Sequence, residues 1–403
     1  MASSSTYAYV GSFSMPNPPE HEGLHVFRVD EKSGVLTPIA KHVRGLNVGT
    51  IFHDSKRGVL YVADEVASTT EFRQQYGSAG GGGGRIYAFS IHSATGDLTR
   101  IGQWPSYGTQ PAGIALDASG NFLIVSHFTS RATTTTIVGD SRLGYRVEPR
   151  YDDATTVLFP IDEAGNLSDP CDIHVHPASG LTPPSCLHSV TLSREGSFLV
   201  ECDMNKDQLI TYELDCKAQS LHVQSIHKTP PGSGPRYCAF HPTHSVFYVN
   251  YEHQPTVESF SYSNGGVIQS IGTVDVLPDN FEGGPGVLLS DLRIHPSGRY
   301  VYTLVRGHNL VSVFAVNDTT GHLRLVQSVL LKGISPKGCA SSADGKFLYI
   351  AMSVSNEVQV WKINDDGLLT LTGQTVTVPR PSAMAVVNLC PQPAGYPELL
   401  NVE

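Results

Sequence analysis

Basic residues are scarce in this chain. Its 403 positions hold 27 Lys and Arg against 37 Asp and Glu, and charged residues of both signs make up only 16%. A net charge of −10 argues against a nucleic-acid surface or an anionic-membrane face, since both call for a basic patch. No window approaches 18 uninterrupted apolar residues, so the sequence offers no membrane-spanning helix. The opening Met1-Ala-Ser-Ser-Ser-Thr lacks the basic start and apolar run of a secretory signal. Seven cysteines, an odd number with no C-x-x-C spacing, make neither a disulfide frame nor a zinc site. They suit buried thiols in a reducing compartment, and the expected address is the cytoplasm. Helical periodicity is almost missing as well. Against these absences stand 39 Gly, 26 Pro and a hydrophobic content of 40%, enough for a large core crossed by many turns.

What the chain does have is a repeat. Arg236-Tyr-Cys-Ala-Phe-His-Pro-Thr-His-Ser-Val-Phe-Tyr-Val249 matches Ser290 to Thr303 and Lys337 to Ile350. The same unit returns at His188 to Glu201, at Ala112 to Val125 and more loosely at Gly49 to Val62. Each copy alternates apolar and polar residues, turns at a glycine or polar pair, and enters a second strand rich in Phe, Tyr, Val and Ile. Third and fourth strands follow, as in Glu357-Val-Gln-Val-Trp-Lys-Ile363 and Asp365-Asp-Gly-Leu-Leu-Thr-Leu. Turn positions recur 54 residues apart from His244 to Gly298 and 47 apart from Gly298 to Gly345. Four short strands in that length make a propeller blade.

Six first strands lie within the chain, and a seventh, Ser382-Ala-Met-Ala-Val-Val387, has no strands after it. Tyr7–Val10, Gly23–Val29 and Gly34–Pro38 supply the missing three. The expectation is all-β: a single propeller domain over residues 1–403, with seven blades of four antiparallel strands. The N- and C-termini would close one shared blade and remove two open sheet edges. Two segments break the period. Residues 71–85 carry the run Gly80–Gly84, a flexible loop without the Lys-Ser/Thr of a phosphate loop. Residues 129–156 form a Thr- and Arg-rich insertion in blade three, either a lid or a tolerated extension.

Repeat-equivalent positions form rings around a propeller axis. At the position of Arg236 the other units carry Ala112, His188, Ser290, Lys337 and Ser382. Four residues after the shared aromatic or aliphatic position of strand two, a second ring carries Glu65, Phe128, Met204, Glu252, Arg306 and Ser353. Both rings are expected to face one cavity. A purely structural position would be apolar or uniform, whereas these collect His, Arg, Lys and Glu. The bland alternative is a set of rim charges that pair with one another. Arg grips a carboxylate or phosphate with a planar fork, His moves a proton near neutrality, and Glu serves as base or, in a dry site, as acid. That kit suits a small anionic organic substrate undergoing proton-coupled bond making or breaking. Arg236 and Arg306 are expected to act on substrate and not as structural ion-pair partners.

Other constellations carry less. Asp172-Ile-His174-Val-His176 puts two imidazoles on one strand face but brings no third ligand, so no metal is expected. His241 and His295 each precede Pro and suit turns. Ser189 beside His188 makes no nucleophilic pair, because neighbours on a strand point apart. No Gly-x-Ser-x-Gly elbow is present.

Leu187-His188-Ser-Val, Gly234-Pro-Arg236 with His241-Pro, Val249-Asn-Tyr-Glu252, Asp291 with His295-Pro-Ser-Gly298-Arg, and Arg306-Gly-His-Asn309 together resemble the seven-bladed propeller lactonase family. That family includes bacterial-type 6-phosphogluconolactonases and fungal-type 3-carboxy-cis,cis-muconate lactonizing enzymes. The similarity covers almost the whole chain. It implies a site of His188, Arg236, Glu252 and Arg306, as in the muconate-type members, and no cofactor. Phosphogluconolactonase-like members tend to carry His, His and Asn where Tyr237, Arg293 and Val305 stand here, so the resemblance leans to the muconate type.

The leading expectation is therefore a lactonizing or lactone-opening enzyme, or a related cyclase, acting on a carboxylate-bearing molecule. His188 or Glu252 would move the proton, and Arg236 and Arg306 would hold the carboxylate. Lys337, Glu65, Tyr237, Ser290 and Met204 would complete the substrate pocket. The alternatives are a 6-phosphogluconolactonase-type hydrolase, a natural-product cyclase and a non-catalytic scaffold. The sequence leaves the oligomeric state open.

Overall fold

A lone meander of short strands leaves both its faces uncovered, so it is stable only when stacked on neighbours. The computed structural model, which describes residues 5–13, 23–67, 83–129, 133–178, 184–263, 265–281, 283–284 and 286–389, stacks seven of them in a ring. Every regular element among the described residues is a strand, in seven four-stranded antiparallel sheets and one separate hairpin. Blade 1 is the shared one. Its inner strand, Pro381–Leu389, pairs with Ser5–Ser12, which continues outward to Leu24–Val29 and Leu36–His42. The inner strands of blades 2 to 7 are Val48–Asp54, Pro111–Leu116, Leu187–Leu192, Pro235–Phe240, Leu288–Ile294 and Pro336–Ser341.

Seven clusters of buried side chains lie one between each pair of neighbouring blades. The core is thus a closed annulus around the axis. Tyrosines on the second strands latch it. Tyr9, Tyr61, Tyr248 and Tyr302 donate their hydroxyls to the carbonyls of Gly96, Gly165, Gly321 and Gly367 in the next blade, at 2.8–3.2 Å. Those glycines turn with φ between 70° and 89°, the left-handed region that other residues avoid. The recurring glycine between strands three and four therefore makes the turn and presents its carbonyl to the neighbouring blade.

His241 and His295 are turn residues as expected, and both also reach across blades to the carbonyls of Gly298 and Gly345. The blade-three insertion is a hairpin, Thr133–Asp140 paired with Gly144–Tyr151, and is shorter than the sequence suggested. It ends at Asp153, because Ala154–Pro160 is the third strand of the blade. Of the other insertion, residues 71–82 lie outside the described residues, as do residues 130–132. Arg85 already belongs to the blade strand Arg85–Ile91.

Candidate active site

Each inner strand is interrupted at the same place. The ladder slips between Val48 and Thr50, Pro111 and Gly113, Leu187 and Ser189, Pro235 and Tyr237, Leu289 and Leu292, and Pro336 and Gly338. In blade 1 it slips between Pro381 and Met384. The skipped residues are Ser382 with Ala383, Gly49, Ala112, His188, Arg236, Ser290 with Asp291, and Lys337. A β-bulge takes a residue out of the pairing and re-aims its side chain. The first ring read from the sequence is thus a ring of bulges at one end of the central channel.

The second ring sits at the same end for a backbone reason. The amides of Phe13, Glu65, Phe128, Met204, Glu252 and Ser353 each donate to the carbonyl just before the inner strand of their own blade. Phe13 is the seventh member, which the repeat analysis missed. It follows Tyr9 by four residues, and the split blade's Tyr9 was the signal that could have found it.

A cavity of about 630 Å³ runs down the channel, lined at this end by Glu65, His188, Arg236, Tyr237 and Lys337. Its volume falls within the range of small-molecule sites. Arg236 is the hub. Its Nε donates to Glu252 Oε2 at 2.7 Å, its Nη1 to the Ser290 carbonyl at 2.6 Å, and its guanidinium lies 5.0 Å from the Tyr237 ring. Arg306 Nη2 donates to Glu252 Oε1 at 2.8 Å and to the Leu289 carbonyl at 3.0 Å. Glu252 is thereby gripped by two arginines of adjacent blades, correcting the expectation that they are not ion-pair partners. Arg306 and Glu252 flank Arg236 and are not among the lining residues. The Nε of Arg306 is buried without a partner among the described residues.

The charges follow from this packing. Burial alone would raise the Glu252 carboxyl, but Arg236 and Arg306 overcome it and hold it at about 2. Burial pushes the His188 imidazole well below its ordinary value, reinforced by Arg236 and Arg306 and opposed by Glu252. His188 is therefore neutral at pH 7, edge-on to Phe128 and Tyr237 at 5.5 and 5.1 Å, with Nδ1 buried and without a partner among the described residues.

On the opposite side, Lys337 Nζ lies 3.2 Å from the centroid of the Phe13 ring. Burial lowers its pKa while Glu65 raises it, and burial raises Glu65 while Lys337 and Arg236 lower it. Between Lys337 of blade 7 and Glu65 of blade 2 the first ring carries only Ser382 and Gly49, and between Glu65 and His188 of blade 4 only Ala112.

Two members of the expected pocket do not belong to it. Ser290 is fully buried, and its hydroxyl donates to the Pro336 carbonyl, stapling blade 6 to blade 7. Met204 is buried beneath Gly234. Conversely, the channel wall holds an ion pair that the sequence reading passed over, Asp291 Oδ2 with Arg293 Nη2 at 3.1 Å. Among the described residues no group of three potential ligands could hold a metal ion. His174 and His176 lie on an outer strand, where His176 bonds the Tyr212 hydroxyl. No helix among the described residues is long and apolar enough to cross a membrane.

A family profile described as "Lactonase, 7-bladed beta-propeller" matches residues 7–386. The 6-phosphogluconolactonase of Bacillus subtilis is 26% identical over 380 residues, covering 93% of this chain and 96% of its own. That of Formosa agariphila is 26% identical over 365 residues, covering 88% and 91%. Among solved structures, the periplasmic gluconolactonase of Pseudomonas aeruginosa superposes with a TM-score of 0.80 at 24% identity, over 96% of this chain and 100% of that one. This last likeness concerns the fold.

Proposed function

The chain belongs to the lactonase family of seven-bladed β-propellers and is an enzyme, and from that premise we propose that it hydrolyses a small anionic lactone of the 6-phosphogluconolactone type. The observation that carries the reading is the neutral His188 on the wall of one cavity together with Arg236, which the twice-paired Glu252 holds from behind. Hydrolysis needs a base for water, stabilisation of the oxyanion, and a proton for the leaving alkoxide. His188, already in its basic form, takes a proton as water adds to the ring carbonyl. The charge that develops on the carbonyl oxygen falls to Arg236, whose Nη2 donates no hydrogen bond among the described residues. Collapse of the tetrahedral intermediate breaks the ring C–O bond, and the proton returns from His188 to the leaving oxygen. Glu252 stays ionised throughout and orients both guanidiniums. Of the two proton carriers the sequence allowed, His188 is the better supported.

The carboxymuconate-type cyclisation has less support, because the named relatives are 6-phosphogluconolactonases. It stays as a second reading on one observation: Tyr237 and Arg293 line the cavity where phosphogluconolactonase-like members tend to carry His. A cytoplasmic address is supported by the cysteines, six of which are free thiols among the described residues. The deciding assay follows acid release from freshly made 6-phosphogluconolactone, corrected for spontaneous opening, beside consumption of 3-carboxymuconate. Fast hydrolysis lost in His188→Ala supports the proposal. Turnover of the muconate alone would replace it with the cyclase reading.

A further inference from the structure

The two charged groups of the site differ in one respect. At the first, every charged side chain has an ion-pair partner: Arg236 and Arg306 share Glu252, and both guanidiniums are anchored on backbone carbonyls. At the second, Lys337 and Glu65 both line the cavity, yet no ion pair or hydrogen bond joins their side chains to each other or to any described residue. Lys337 Nζ lies against the aromatic face of Phe13, which stabilises an ammonium without neutralising it. Such a cation, partly stripped of water and with no carboxylate in ion-pair contact among the described residues, favours an anion arriving with a ligand. Ser382 and Gly49, both small, are the first-ring residues between Lys337 and Glu65. At Gly49 a Cβ would collide with the Glu65 carboxylate, so the missing side chain is what gives Glu65 its place.

We propose that Lys337 and Glu65 form a second recognition pole for the end of the substrate remote from the lactone carbonyl. Lys337 takes a distal anionic group, phosphate or carboxylate, and Glu65 accepts hydrogen bonds from hydroxyls beside it. The inference rests on the lactonase reading for its substrate but concerns a different part of the cavity. It makes Lys337 the residue that separates charged lactones from neutral ones. It also gives the members of this pair opposite signs: an anion gains from Lys337 and is repelled by Glu65.

Binding of open-chain products tests this without turnover. Titration calorimetry compares 6-phosphogluconate, glucarate and gluconate, which carry a phosphate, a carboxylate and a hydroxyl at the distal carbon. Lys337→Met should weaken 6-phosphogluconate at least tenfold and leave gluconate within about twofold. Loss for glucarate too assigns the pole to any anion, and loss for 6-phosphogluconate alone assigns it to phosphate. Glu65→Gln, titrated at pH 6 so that Lys337 stays protonated once the charge that raises its pKa is gone, should tighten 6-phosphogluconate a few-fold, and it stands as the second variant should Lys337→Met not fold. A merely structural role would move all three ligands together. Equal loss for gluconate in Lys337→Met, no loss for either anion, or weaker anion binding in Glu65→Gln would each overturn the assignment. If these signs hold while no lactone is turned over, the pole stands and the reaction assigned above fails.

Discussion

Gly49 lies directly beneath the carboxylate of Glu65, close enough that a Cβ at position 49 would overlap both Oε2 and the Glu65 side-chain stem. One residue from the first ring and one from the second are thus a matched pair, absent side chain against present charge. Gly49→Ala is expected to displace Glu65, lower stability by about 1–3 kcal/mol through overpacking, and disturb ligand binding. Glu65→Gly in the same chain should restore most of the stability. Thermal denaturation of the two single variants and the double variant measures the coupling, and strict additivity would count against the contact.

Arg236 has two tasks that the sequence kept apart. It holds Glu252 and staples blade 5 to the Ser290 carbonyl of blade 6. Arg236→Ala should therefore cost stability, about 1–3 kcal/mol, beyond that of an ordinary exposed substitution. The same variant should lose at least roughly a hundredfold in kcat/KM, as when an oxyanion donor is removed. Arg236→Lys should recover part of the stability and little of the rate, because an ammonium cannot form the fork. Chemical denaturation and steady-state kinetics on one preparation separate the two effects. Full activity in Arg236→Ala would remove this arginine from the mechanism.

The repeat made the ring of blades and the closure by Pro381–Leu389 legible, since both follow from strand period and turn glycines. It also placed His188, Arg236, Glu252, Arg306, Lys337 and Glu65 at one end of the channel, because equivalent positions must share a level. Repeat position says nothing of where a side chain turns. Ser290 holds a ring position and spends its hydroxyl on Pro336, while Met204 turns into the core. The bulges that aim the first ring are irregularities of pairing, invisible in an alternating pattern. Phe13 escaped because its strand is separated by most of the chain from the strand it pairs with.

Anion binding should be lost on the alkaline side earlier than lysine chemistry alone would give. Burial brings Lys337 from 10.5 to about 8, with Glu65 opposing. The protonated form carries the attraction, so 6-phosphogluconate affinity should hold below that pH and fall as pH rises through it. Lys337→Arg should move the fall beyond the measurable range. Isothermal titration from pH 6.5 to 9.5 records it, with gluconate as the flat control. An affinity constant across the range would show that Lys337 stays charged or does not touch the anion.

Closure by the C-terminal strand should be indispensable. Pro381–Leu389 pairs with Ser5–Ser12 along its length and packs Met384 and Val387 into the two clusters that flank blade 1. Ending the chain before residue 380 would leave Ser5–Ser12 as an open inner edge and expose both clusters. The shortened protein is expected to be insoluble or aggregated by size-exclusion chromatography. A monomer with unchanged melting would show that the ring does not need its closure.

Glu201, on the second strand of blade 4 and facing blade 3, is a carboxyl with no cation paired to it among the described residues. It is fully buried, accepts from the hydroxyls of Thr156 at 2.8 Å and Tyr212 at 2.9 Å, and has His176 Nε2 at 3.7 Å. Burial raises it from 4.5 to about 8, and the two hydroxyls only partly oppose the shift. Burial likewise lowers His176 to about 4, so that imidazole offers no positive charge at neutral pH. Between pH 4.5 and 8 the native state keeps a proton that the unfolded chain has released, so stability must fall as pH rises through that window. Glutamine keeps the shape and the hydrogen bonds without titrating. Glu201→Gln should therefore match the parent protein near pH 5 and exceed it by on the order of 3 kcal/mol near pH 8, with activity unchanged. Denaturant melts of both proteins at pH 5, 6.5 and 8 give the comparison. A gap that stays constant with pH would mean that Glu201 is ionised in the fold and that Thr156 and Tyr212 satisfy its charge.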